Sequence, residues 1–236
     1  MATFVLVHGA WAGSIVWKPI EERLRKAGHE VLRPTLTGIG ERKHLVNRSV
    51  NLDTHIQDVL GVIDYEDLSK FTLVGHSYGG MVVTGVADKI PDKITSLVYL
   101  DAFVPENGQS LFGLVPADAP RPDRPPIPAA DDYLTPPLPP QAFGEPSKEV
   151  LDFFQRKTSP QPTACFTQGV KLTGGIDRIK RKTYIYCNVP APTTFTPFYE
   201  KLKNKPGWTM HTLPCTHMAQ SDMPNELTAM LLAEVR

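Results

Sequence analysis

Six residues, Gly75-His76-Ser77-Tyr78-Gly79-Gly80, constrain the fold of this chain more tightly than any other stretch. An apolar, β-prone run, Phe71-Thr72-Leu73-Val74, leads into them, and a helical pattern beginning Met81-Val82-Val83 leads out. A serine between glycines, set between a strand and a helix, marks a sharp turn that lifts its side chain clear of the backbone. Gly75 and Gly79 occupy positions where a side chain would collide across that turn, and Gly80 lets the helix pack closely on the strand. Ser77 Oγ then stands at a helix N-terminus, where unpaired N–H groups and the helix dipole favour negative charge. Such a turn implies a nucleophilic serine.

The rest of the chain repeats the strand–helix alternation. Strands are expected at Thr3–Val7, Glu30–Arg33, Phe71–Val74, Ser96–Leu100, Lys182–Cys187 and Thr209–Leu213. Helices are expected at Trp17–Ala27, Asp53–Tyr65, Ser77–Ile90, Ser147–Arg156, Phe195–Lys203 and Asn225–Ala233. This pattern predicts an α/β fold with a mostly parallel six-stranded sheet flanked by helices. Ligands bind such sheets beyond the carboxyl ends of their strands. The length, 236 residues, suits a single domain over 1–236 with room for an insertion.

That insertion shows as a break in rhythm. From Pro116 to Pro146 eleven residues are proline, and proline removes donors and fixes φ, so neither strand nor helix is expected. A disordered linker is the alternative. Apolar residues within and around it, among them Leu111, Phe112, Tyr133, Phe153, Phe154 and Phe166, would otherwise have nothing to cover and point instead to a lid or cap over residues 104–178.

Acidic and basic residues balance, 25 against 25. No electrostatic attraction to nucleic acid or to a membrane surface is therefore expected. The segment Met1–Val7 lacks a basic n-region and a small-residue cleavage site, so it reads as a first strand rather than a signal peptide. No apolar run approaches the ~20 residues of a membrane span. Cys165, Cys187 and Cys215 have neither a metal-ligand nor a CxxC spacing, which predicts no disulfide framework and a cytoplasmic location. Neither a metal nor an organic cofactor is required, and monomer and homodimer both fit.

A serine hydroxyl is a weak nucleophile that needs a base within reach and a third group to orient the base. Where the serine sits on such a turn, the chain order is serine, then acid, then histidine. His217 follows the last expected strand and precedes the terminal helix, so it is the candidate base; His211 lies inside that strand. The loop after Lys182–Cys187 reads Asn188-Val189-Pro190-Ala191-Pro192 and carries no carboxylate. Asp101, at the end of Val98-Tyr99-Leu100, is the preferred acid over Asp222, Glu106 and Glu200. An oxyanion hole needs two N–H donors, expected from Tyr78, next to the nucleophile, and Ala10, in the loop after the first strand. His76 is expected to shape the turn. Trp11, Tyr78, Phe103 and Met218 are expected to line an apolar pocket for a small hydrophobic or aromatic substrate.

With these residues placed, the chain resembles α/β-hydrolases of the plant methylesterase and hydroxynitrile lyase superfamily, and in particular its bacterial esterases. The resemblance rests on Phe4–Trp11, Pro34–Arg42, Leu52-Asp53-Thr54-His55-Ile56, the Ser77 turn and Leu97–Gln109. It implies an α/β-hydrolase fold whose sheet lacks the first two strands of larger relatives and carries a helical cap. It implies ester hydrolysis through an acyl-enzyme. The lyases of the group usually carry threonine at Gly9 and lysine at Met218, so glycine and methionine here side with the esterases. Plant members carry their acid in the loop where this chain has Asn188-Val189-Pro190.

Three readings follow. The first is a serine hydrolase acting on a small carboxylic ester, or on a carbamate or amide by the same chemistry. The others are a lyase that uses the same triad for proton transfer and a catalytically silent binding member.

Overall fold

The computed structural model describes residues 1–115, 133–143 and 147–235. Among these the strands are β1 (Thr3–Val7), β2 (Glu30–Leu32), β3 (Phe71–His76), β4 (Ile94–Leu100), β5 (Leu134–Thr135), β6 (Gln161–Pro162), β7 (Lys182–Cys187) and β8 (Trp208–Leu213). The α-helices are α1 (Lys18–Lys26), α2 (Leu52–Tyr65), α3 (Gly79–Lys89), α4 (Leu111–Leu114), α5 (Lys148–Lys157), α6 (Ala164–Thr167), α7 (Thr196–Leu202), α8 (Ala219–Asp222) and α9 (Pro224–Ala233). Six strands pair in parallel in the order β2-β1-β3-β4-β7-β8. The pair β5–β6 forms a separate antiparallel sheet.

Side chains along a strand point alternately to opposite faces, so a doubly covered sheet has two cores. On β1, Val5 and Val7 face the core shared with α2 and α3, while Phe4 and Leu6 face the one shared with α1 and α9. Helix α2 begins with a capping box, the Asn51 side chain accepting from Thr54 N–H and the Thr54 hydroxyl accepting from Asn51 N–H. Helix α3 is buried over Gly79–Asp88, as a helix that is apolar nearly all round must be. It can sit so deep because Gly80 carries no Cβ: one placed there would lie 2.1 Å from the Phe103 carbonyl oxygen.

The strand ends match the expected ones within two residues. Strand β3 runs on to His76 because His76 still pairs with Leu100 across the sheet. The short helices α4, α6 and α8 were not expected; four-residue helices carry too little periodicity to read.

Residues 104–178 distribute between two places. Leu111, Val115, Phe166 and Val170 join the core beside α2 and α3. The Asp88 carboxylate of α3 accepts N–H bonds from Thr173 (2.6 Å) and Gly174 (3.0 Å), which seats the end of this stretch. Helix α5 lies instead over the carboxyl ends of the strands, where Phe154 packs on Met218. The expected proline-rich segment falls largely outside the described residues, at 116–132 and 144–146. Near the amino ends of β4 and β7, the buried Glu234 carboxylate accepts from the hydroxyls of Ser96 and of Thr183 (2.8 Å).

Candidate active site

Ser77 has φ +55° and is half-buried, while its neighbours from Phe71 to Ala87 are buried. The turn is tied to the end of β4, because Ser77 N–H donates to Leu100 O (3.3 Å) and Ser77 O accepts from Phe103 N–H (3.2 Å). A Cβ on Gly79 would meet the Val7 and His8 carbonyl oxygens at 2.7 Å, so only glycine lets β1 pass this close.

Asp101 follows β4 directly, buried, with φ +40°. Its own N–H continues the ladder to Ile185 O (2.7 Å), which turns the side chain toward the loop after β8. There His217 Nδ1–H donates to Asp101 Oδ2 at 2.7 Å, and Cys187 N–H donates to Oδ1 at 3.2 Å. Burial pushes the carboxyl upward, and the Cys187 N–H acts against that. Two N–H donors converging on the carboxylate keep it an acceptor, which fixes the proton of a neutral His217 on Nδ1 and leaves Nε2 unprotonated. Burial also holds His217 below the ordinary imidazole range, so the ring rests neutral.

The His217 loop is fixed from three sides. Asp222 accepts from Thr216 N–H (3.0 Å) and Oγ1–H (2.6 Å). The His76 ring donates from Nε2 to His217 O (3.0 Å) and lies 4.5 Å from the His217 ring, centroid to centroid. Phe195 also stacks on the imidazole, at 4.8 Å.

Ser77 and His217 open into one cleft with Ala10, Trp11, Phe154 and Met218. Among the described residues the amides of Ala10 and Tyr78 donate to no protein group. Trp11, Ser77 and Asp101 all have positive φ, and Asp67 is the only other non-glycine residue among those described that does. Each such residue costs about 1–3 kcal/mol, and such strain concentrates where geometry serves function.

Two expectations need correcting. Phe103 does not line the cleft; it is buried beneath it, edge-on to Phe195 (5.1 Å) and Phe198 (5.7 Å). It follows the Ser77 turn so closely that its N–H is consumed by Ser77 O, and its ring turns into the core. The Tyr78 side chain is likewise buried, its hydroxyl donating to His55 Nδ1 at 2.8 Å. The other acids lie elsewhere. Glu106 pairs with Lys201 at the surface, Glu200 pairs with Lys203, and Asp222 caps Thr216. His211 is half-buried within β8. Sequence reasoning did not anticipate Phe195, nor His76 as the anchor of the His217 carbonyl. The His76–His217 contact spans 141 residues and leaves no local pattern.

A strand-to-helix serine, a histidine–aspartate pair and two open amides at the carboxyl edge of a parallel sheet define the class. A family profile described as the alpha/beta hydrolase family matches residues 4–230, and the chain belongs to that family. Along its length it is similar to a carbendazim hydrolyzing esterase of Nocardioides sp. (strain SG-4G), 45% identical and covering 99% of both chains. It is also similar to an alpha-hydroxynitrile lyase of Arabidopsis thaliana, 32% identical over 44% of this chain and 40% of that one. Among solved structures, an extracellular alpha/beta-hydrolase from a Paenibacillus species superposes with a TM-score of 0.81. It is 26% identical, covers 99% of each chain, and is described as sharing structural and functional homology with tobacco salicylic acid binding protein 2.

Proposed function

We propose that this chain is a serine carboxylic-ester hydrolase in which Ser77, His217 and Asp101 act as a catalytic triad. The 2.7 Å bond from His217 Nδ1 to Asp101, with His217 and Ser77 opening into one cleft, carries this reading. His217 Nε2 takes the Ser77 proton as Oγ attacks the ester carbonyl carbon. The Ala10 and Tyr78 amides hold the oxyanion, and losing one such donor typically costs about 10²–10³ in rate. The imidazolium then returns its proton to the leaving alcohol. Water, activated by the same base, releases the acyl group from Ser77.

The substrate is a compact apolar or aromatic ester, a carbamate or amide being open to the same steps. Trp11, Val16, Phe154 and Met218 give the cleft its apolar walls. The 104–178 stretch serves as its cap, with Phe154 reaching the cleft wall. Among the described residues that line the cleft none is a lysine or arginine, and Met218 stands next to His217. A lyase expelling cyanide would want a cation there. Three unpaired cysteines support a reducing, cytoplasmic setting.

The test is hydrolysis of a short p-nitrophenyl ester by wild type and Ser77→Ala, with a fluorophosphonate probe located by peptide mass spectrometry. Turnover by the wild type, loss in Ser77→Ala and label on Ser77 alone are expected. Hydrolysis that persists in Ser77→Ala, or turnover with no labelling of Ser77, would sink the acyl-enzyme route.

A further inference from the structure

We propose that Gln161 is a positioning residue for the oxyanion hole, acting through Trp11; this rests on the serine esterase reading above. Trp11 directly follows Ala10. Ala12 N–H donates to Ala10 O (2.8 Å), which makes Trp11 the centre of a γ-turn, and its φ of +67° is the rare, strained hand of that turn. Such a conformation persists only where the surroundings hold it.

The holding groups come from far along the chain. Trp11 N–H donates to Gln161 Oε1 (3.1 Å), 150 residues away, and Gln161 is fully buried. The indole Nε1–H donates to Thr135 O (3.1 Å), and Trp11 O accepts from Ser159 N–H (3.2 Å). Thr135 and Gln161 face each other across β5 and β6. The small antiparallel sheet, which has no place in the main sheet, thus grips one residue. The Ala10–Trp11 peptide is held at both ends, its C=O by Ala12 and its N–H by Gln161, so the Ala10 amide stays aimed at the space above Ser77. Phe166 adds contact with both sides of the hole, its ring 5.6 Å from Trp11 and 5.5 Å from Tyr78.

Gln161→Met keeps the bulk and removes the acceptor, whereas Gln161→Glu keeps an acceptor oxygen. The readouts are kcat, KM and inhibition by a trifluoromethyl ketone, which adds to Ser77 Oγ and places an oxyanion in the hole. In Gln161→Met we expect kcat to fall by at least about tenfold, KM to stay within about threefold, and ketone affinity to fall by the same factor as kcat. Gln161→Glu should recover kcat to within about threefold of wild type. An unchanged kcat in Gln161→Met, a change confined to KM, an unaltered ketone affinity, or an equal loss in both variants overturns the proposal. Should Gln161→Met fail to fold, Ser159→Pro deletes another of the three bonds to Trp11 and carries the same expectations. Wild type assayed alongside separates the two failures: if it turns over no ester, the esterase reading falls, not the role of Gln161 alone.

Discussion

Phe195 lies flat against the His217 imidazole, the two planes 7° apart and the centroids 4.8 Å apart. In the proposed mechanism that ring becomes a cation each time it takes the Ser77 proton, and an aromatic face attracts a cation by about 0.5–2 kcal/mol. Phe195→Leu keeps the apolar contact and loses the π-face, so kcat should fall roughly 2–30-fold. The acid limb of the kcat/KM profile should move to lower pH, because the imidazolium loses support. His76 and Asp101 also face this ring and stay unchanged. A variant with unaltered kcat and acid limb would reduce Phe195 to packing.

Asp101→Asn should leave the protein folded, since Asn Oδ1 can still accept from Cys187 N–H. Its amide would face Nδ1 and force the His217 proton onto Nε2, the atom that accepts from Ser77 in the proposed mechanism. A kcat loss of about 10⁴ is expected, with KM little changed. Near-normal turnover in a folded Asp101→Asn would show that another group orients the base.

Four buried histidines, His8, His55, His76 and His217, make stability fall on the acid side. Burial lowers all four, His8 and His55 to about 4. Their contribution is complete above the unfolded value near 6.5 and is lost as pH falls toward the folded values, because the unfolded chain takes up protons that the fold refuses. Each proton is worth about 1.4 kcal/mol per pH unit. Raised by burial, Asp101 opposes this trend as one group against four. Urea unfolding at pH 7, 6 and 5 should show a steep loss of stability across that range. A flat profile would mean that the histidines are charged in the fold.

Glu234→Ala should leave the hydroxyls of Ser96 and Thr183 buried without their acceptor. A loss of about 1–3 kcal/mol is expected, read as a Tm lower by several degrees. Ester turnover at 25 °C should not change, because these groups sit at the opposite ends of the strands from Ser77. A drop in kcat without a drop in Tm would contradict this separation.

Much of this layout is legible in the sequence alone. β1 and β7 have the expected limits, and the reasoning that ligands meet the carboxyl ends of strands nominated Asp101, the residue the fold sets against His217. What was not legible is long-range and conditional. Phe103 reads as a pocket aromatic until the Ser77 turn claims its amide and sends its ring inward. Gln161 and Trp11 are 150 residues apart, and no local periodicity links a glutamine beside a proline to a loop after the first strand. Apolar period and turn chemistry report neighbours in sequence, whereas those contacts exist only once the sheet has assembled.

Strands β3 and β4 lie side by side at the middle of the sheet, with His76 paired to Leu100, so Ser77 and Asp101 leave adjacent rails. His217, the proposed base, follows β8 at the margin of that sheet. Heating should therefore detach His217 before it disturbs Ser77 or Asp101. Efforts to prolong the working life of this enzyme at elevated temperature belong in Pro214–Met218, and the middle of the sheet is best left alone.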